Sequence, residues 1–340
     1  MVSYLAIILL VTWEQNYLLA LGIGTVTEVV LNIWISWYVE QKYPFLRQRR
    51  KEKSTSSLTK RIVRDLKSLF ITRISEKMLY CTDNLIISGF IGVGTVGRYA
   101  NYCMITQAIS NILTILANTI QPTVGDYFTE KNRQRNYEIL RQLTFGFFCI
   151  ASVVSVGLFS LITPFVRDIW LGPSYELGWG ITVFCIVVLL VRIMGLPLSL
   201  VMGVTGLFEK EKNVGASSAL LNLIVSLALV KPYGMAGVLL GTLLSYLLQI
   251  LYRYIIYFRD FLEMPGEALR YAQDIGEYLA VIAGEVLLMQ KIVPLIYGAG
   301  GMLLFCVCFL LCIAIPLLLD LVIFGRGCCL LYTSDPADDK

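Results

Sequence analysis

The chain contains no histidine, and only 15% of its 340 residues are charged. The first absence removes the commonest general base and the commonest zinc ligand, which leaves most hydrolase and metalloenzyme chemistry without its usual side chain. The second is out of keeping with a soluble domain, in which about a quarter of the residues carry charge. The nine cysteines include no Cys-X-X-Cys pair. Most sit in apolar runs, where cysteine acts as a small hydrophobe. Neither a metal nor a cofactor is called for, and no nucleic-acid partner is expected. The opening apolar run, Val2–Trp13, lacks the basic flank and small-residue cleavage site of a signal peptide. At about a dozen residues it is roughly half of a span, and it reads as the end of a truncated helix rather than a re-entrant piece.

What remains is 57% hydrophobic, and it is arranged in runs of membrane length. Full spans are predicted near Tyr17–Val39, Ser68–Ile91, Arg98–Gly125, Tyr137–Ile162, Trp179–Gly206, Val214–Val230, Gly234–Tyr257, Ile275–Lys291 and Tyr297–Phe324. The fold class is therefore all-α integral membrane: a multi-pass helical bundle of about nine complete transmembrane helices plus a partial one. Short connections suit antiparallel neighbours. Placing the basic segment Glu40–Lys67 in the cytoplasm and alternating the spans puts twenty lysines and arginines on that side and four on the other. That asymmetry fixes the expected orientation.

One span departs from the pattern. Between Leu69 and Gly89 the sequence reads LFITRISEKMLYCTDNLIISG, with Arg73, Lys77, Tyr80, Asn84 and Ser88 recurring every three or four residues on one helical face. Glu76 and Asp83 lie at the edge of that stripe. Charges at bilayer depth cost a few kcal/mol each (about 2.5–3.5 on insertion scales) and face a bundle interior or a wet cavity. Such a helix either lines something polar or lies in the interface. Arg73 and Lys77 are either neutralised by Glu76 and Asp83 one turn away, or available to a phosphate or diphosphate, which suits guanidinium and ammonium groups.

A second stripe, Gln107, Asn111, Thr114, Asn118 and Gln121, runs along the next span. It serves either hydrogen bonding between packed helices or a cavity wall that meets sugar hydroxyls. Arg192, Gly195 and Pro197 sit near the middle of Trp179–Gly206, and the proline predicts a helix break. Arg192 either pairs with Asp83 or Glu76, or awaits an anionic ligand. Glu285 and Asp320, single charges in the last two spans, read as peripheral. Glu76 and Asp83 are the candidates for ion coupling, because without histidine any proton coupling falls to a carboxylate. The final stretch, CLLYTSDPADDK (Cys329–Lys340), turns abruptly polar. It reads as a non-native tail, similar to a translated sequencing adapter, and is set aside from the fold together with the rest of 325–340.

Five stretches carry a resemblance: KYPFL (Lys42–Leu46), TDNLIISGFIG (Thr82–Gly92), VGRYANY (Val96–Tyr102), WLGPSY (Trp170–Tyr175) and YGMAGVLLGT (Tyr233–Thr242). In order and spacing over Tyr17–Phe258 the chain resembles the bacterial polysaccharide-biosynthesis, or oligosaccharide flippase, proteins of the MATE-like superfamily. Arg98 replaces the more usual small or aliphatic residue. The resemblance implies two six-helix lobes around a cavity. Residues 1–39 would be the end of the N-lobe, 40–67 a basic cytoplasmic loop, 68–258 the C-lobe bundle and 259–324 two additional helices. It also implies a transporter, not an enzyme, in the bacterial cytoplasmic membrane. Its substrate would be an undecaprenyl-type lipid-diphosphate oligosaccharide, and its partners membrane lipids and a polysaccharide polymerase with its assembly proteins. Arg73, Lys77, Tyr80, Asn84, Gln107, Asn111, Asn118 and Arg192 would line the cavity. A chain holding one lobe is expected to be inactive by itself. The other classes weighed are a cation-coupled multidrug exporter, a membrane sugar polymerase or ligase, for which the largest outer loop, about Thr163–Gly178, is short, and a non-transporting scaffold.

Overall fold

The computed structural model describes residues 17–43, 81–128, 132–298 and 300–332, with isolated positions at 63, 66, 70, 74, 77 and 78. Arg73, Glu76, Tyr80, the Val2–Trp13 run and nearly all of the basic loop lie outside the described residues. Among those described there is helix and turn but no strand. The chain divides into two units, Met1–Arg61 and Ile62–Lys340. The first contributes one helix, α1 (Tyr17–Lys42), on which Trp34 stacks against Tyr38 and Trp34 and Trp37 are exposed.

The second unit contains α2 (Val93–Phe128), α3 (Arg133–Pro164), α4 (Trp179–Val204), α5 (Phe208–Tyr233), α6 (Met235–Ile256), α7 (Pro265–Tyr297) and α8 (Met302–Tyr332). Residues 81–90, ahead of α2, are also helical. Each of the seven has a stretch long and apolar enough to cross a membrane. This is a multi-pass helical membrane protein. Seven of the nine predicted spans are such helices, an eighth is α1, and the ninth is described without breaks only from Cys81 on. α3 and α6 each run on through a turn of π-helix, Phe165–Trp170 and Tyr257–Leu262.

Helix α4 is the hub, packed against α2, α3 and α6, while α3 carries α7 and α8 on its other side. Its sequence explains the position: Arg192 is its one charge, and Ile186, Leu189, Ile193, Leu198 and Val201 are almost wholly buried, as expected of a helix surrounded by others. The expected break at Pro197 does not occur. α4 is one helix from Trp179 to Val204, with Pro197 buried inside it. The proline removes one backbone bond, but packing on both sides holds the helix in register. The turn ahead of α2 is made at Gly92, whose φ of 125° only glycine adopts readily; α2 begins at the next residue.

Local signals set the other ends. Asn132 caps α3 by accepting from the Arg135 amide. The WLGPSY stretch forms a tight turn in which Gly172, at φ 94°, donates to the Val166 carbonyl and Pro173–Tyr175 makes one turn of 3-10 helix. α7 is tied to α3 by the bidentate Arg141–Asp274 pair, at 2.8 and 3.4 Å, and by Phe148 stacked on Tyr278 at 4.3 Å. The ion pair is partly exposed, so Arg141→Gln should lower stability by only about 0.5–1 kcal/mol. A melting curve of the purified protein in detergent checks this.

Candidate functional site

Helices α5 and α6 form the tightest hairpin in the molecule, and glycine makes it possible. A Cβ on Gly237 would overlap the Leu229 carbonyl oxygen, with the carbonyl carbon 2.6 Å away. One on Gly241 would overlap Ser226 Oγ and stand 3.2 Å from the Asn222 carbonyl oxygen. Backbones this close bring the polar side chains of α5 against those of α6. Ser218, Asn222 and Ser226, spaced four apart on one face of α5, are completely buried. Opposite them stand Thr242 and Ser245 of α6, also buried.

Into this seam projects Asp83, 5% exposed, from residues 81–90. Thr242 Oγ1 donates to Asp83 Oδ2 at 2.8 Å. Asn222 Nδ2 donates to Thr242 Oγ1 at 2.9 Å and lies 3.5 Å from Asp83 Oδ1. The Val238 carbonyl accepts from Ser226 and, at longer range, from Thr242. Asn222 Oδ1 is buried with no hydrogen-bond donor. The seam thus gathers one carboxylate, an amide oxygen without a donor, a hydroxyl and a carbonyl around one point. Oxygen donors with a single negative charge suit a proton or a small hard cation, not a transition metal. Among the described residues no group of three His, Cys, Asp or Glu could hold a metal ion.

The other predicted site residues do not converge on Asp83. Its partners are Thr242 and Asn222, so the Arg192–Asp83 pair expected as one alternative is not formed: those two side chains on α5 and α6 already occupy the carboxylate. Arg192 is half-buried on α4, with its guanidinium 5.4 Å from the centre of the Tyr246 ring on α6, a cation–π distance. Lys77 and Asn84 are exposed. On α2, Asn111, Thr114 and Asn118 are exposed and Gln107 and Gln121 half-buried. The buried face of α2 is instead Tyr99, Tyr102, Ser110, Leu113, Ala117 and Val124. The amide stripe is therefore not consumed in packing within this unit, although Met104, Ile112 and Leu116 share its exposure. Glu285 and Asp320, read as peripheral, are instead buried, because α7 and α8 lie against α3.

Sequence reasoning missed Asn222, Ser226 and Thr242. The signal was there: Ser218, Asn222 and Ser226 recur every four residues in an apolar span, and Gly237 and Gly241 recur likewise just before Thr242. Asp83 and Thr242 also fall in two of the stretches that carry the resemblance, TDNLIISGFIG and YGMAGVLLGT.

The first 128 residues match the polysaccharide biosynthesis protein family. The match to that family takes in α1, Asp83 and the whole amide stripe, and it stops at the last residue of α2. Asn222 and Thr242, the residues that hold Asp83, lie beyond it. No curated protein matches the chain.

Proposed function

We propose that this chain is part of a flippase that moves a lipid-diphosphate-linked oligosaccharide from the cytoplasmic to the outer leaflet of the bacterial cytoplasmic membrane, for assembly of surface polysaccharide. The match of residues 1–128 to the polysaccharide biosynthesis family carries this reading, and the multi-pass helical fold supports it. The chain belongs to a transporter, not an enzyme. Residues 68–258 supply one lobe of an alternating-access pair, 259–324 add two helices, and the basic loop 40–67 faces the cytoplasm. Membrane lipids and a polymerase with its assembly proteins are the partners.

Charge assigns the roles. Arg73, Lys77 and Arg192 meet the diphosphate, which guanidinium and ammonium groups bind well away from bulk water. The exposed amides of α2, with Tyr80 and Asn84, meet the sugar hydroxyls while the lipid chain stays in the bilayer. Asp83 couples the cycle to a cation: a proton or cation arriving in the seam would draw Asp83, Asn222 Oδ1 and the Val238 carbonyl together, changing how residues 81–90 sit against α5 and α6.

The test is complementation of a strain lacking its own flippase with the full-length gene, at matched membrane levels. Arg73→Ala, Lys77→Ala and Arg192→Ala should each reduce surface polymer. Full activity in all three would reduce these cations to structural charges and move the diphosphate elsewhere. A buried carboxylate that pairs with no lysine or arginine among the described residues also fits a cation-coupled exporter of small molecules. Failure of the unmutated gene to complement, together with drug resistance conferred by it, would favour that reading.

A further inference from the structure

A second polar cluster, which shares no residue with the Asp83 seam, lies where the last two helices pack on α3. Ser152 of α3 donates to Glu285 Oε2 of α7 at 2.5 Å, and Asp320 of α8 lies beside both. Ser152 and Glu285 each stand twelve residues before the end of their helices, about 18 Å at 1.5 Å per residue, which is deep in the bilayer. Glu285 is 3% exposed, and Ser152 and Asp320 are wholly buried. Phe148, Ala151, Ile282, Val286 and Met289, helical neighbours of Ser152 on α3 and of Glu285 on α7, belong to the buried apolar cluster there.

Charge is what the cluster lacks. Among the described residues no lysine or arginine pairs with either carboxyl. α8 has no other charge between Met302 and Phe324, and the nearest charge on α3 is Arg141, eleven residues before Ser152 and already bound to Asp274. On α7 the nearest charges are Lys291, exposed and six residues on, and Glu277, eight residues back. Arg192 of α4 is engaged with the ring of Tyr246. Two ionised carboxylates side by side in an apolar setting repel strongly and cannot both persist alone. Their remaining oxygens, Glu285 Oε1 and both of Asp320, are buried without hydrogen-bond partners. Two observations therefore point to a positive charge shared by the pair: carboxyls that no described lysine or arginine compensates, and buried carboxyl oxygens without hydrogen-bond partners.

We infer that Ser152, Glu285 and Asp320 form a monovalent-cation site, filled by a proton or a sodium ion bridging Glu285 and Asp320, that holds α7 and α8 onto α3. Oxygen donors of this kind suit a hard monovalent ion, and Ser152 fixes the orientation of Glu285. The inference does not depend on the transport reading, since the site shares no residue with the Asp83 seam.

The purified 340-residue chain in detergent is treated with dicyclohexylcarbodiimide, which attacks protonated carboxyls in apolar surroundings, and adducts are located by peptide mass spectrometry. An adduct on Glu285 or Asp320 is expected, with a yield falling about tenfold for each pH unit above its midpoint. Added sodium chloride, against choline chloride at fixed pH, identifies the occupant: protection by sodium assigns the alkali ion, and dependence on pH alone assigns the proton. No adduct at either residue, or a yield flat in both pH and sodium, would overturn the inference. Asp320→Asn should also abolish the pH or sodium dependence of the melting temperature attributable to this site, while Asp83→Asn should leave it in place. The same digest reports labelling of Asp83 separately, so failure here is distinguishable from failure of the coupling role.

Discussion

Asp83→Asn abolishes export while the protein stays folded in the membrane: this is the largest functional effect expected of any single change. The substitution is nearly isosteric. The new amide would still accept from Thr242 through its oxygen. With its NH2 facing Asn222 Nδ2, only the long 3.5 Å contact is given up, and the Asn222–Thr242 hydrogen bond stays. What is lost besides that contact is the negative charge. A site that couples cation binding to a conformational change through about 1–3 kcal/mol loses about 5- to 150-fold when that coupling goes. By that scale, surface polymer should fall by at least about fivefold at matched membrane levels. Asp83→Asn with normal polymer would show that the carboxylate only holds α5 and α6 together.

Gly237→Ala should have the largest effect on stability. The added methyl would overlap the Leu229 carbonyl oxygen and come within 2.6 Å of its carbon, and backbone cannot rotate aside as a side chain can. Overpacking of this kind costs typically about 1–3 kcal/mol, occasionally more. Here relief requires α5 and α6 to separate, which also pulls Asn222 and Thr242 off Asp83. Gly146→Ala and Gly157→Ala in α3 are the controls. A Cβ at either position meets nothing within 4 Å, so alanine should be neutral or stabilise the helix by up to about 1 kcal/mol. Melting curves in detergent separate the cases, and a Gly237→Ala protein as stable as the controls would contradict the close-packed hairpin.

The two regions differ in how much of them the sequence disclosed. Membrane-length apolar runs made the helices legible, because hydropathy at bilayer depth is a first-order energetic constraint. Helix interruption was less so. Pro197 looks like a break in one dimension, but α4 is enclosed by α2, α3 and α6, and tertiary packing decided. Burial of single charges was also hidden. Glu285 and Asp320 lie 35 residues apart in different helices, and only the docking of α7 and α8 on α3 brings both to Ser152. For the same reason Asp83 was identified but its partners were not: Asn222 and Thr242 are 139 and 159 residues away. The cationic stripe shows the opposite limit. It was the most conspicuous pattern in the sequence, yet of its members only Lys77, Asn84 and Ser88 fall among the described residues, with Lys77 and Asn84 exposed.

The flippase reading stands or falls on the transbilayer position of the lipid-linked oligosaccharide in a strain without its own flippase. Accessibility of the sugar to a membrane-impermeant probe would be measured in spheroplasts carrying the full-length gene or its Asp83→Asn form. Outward-facing oligosaccharide is expected with the unmutated gene, and inward-facing material should accumulate with Asp83→Asn. Oligosaccharide that remains inward-facing with both would rule the flippase reading out.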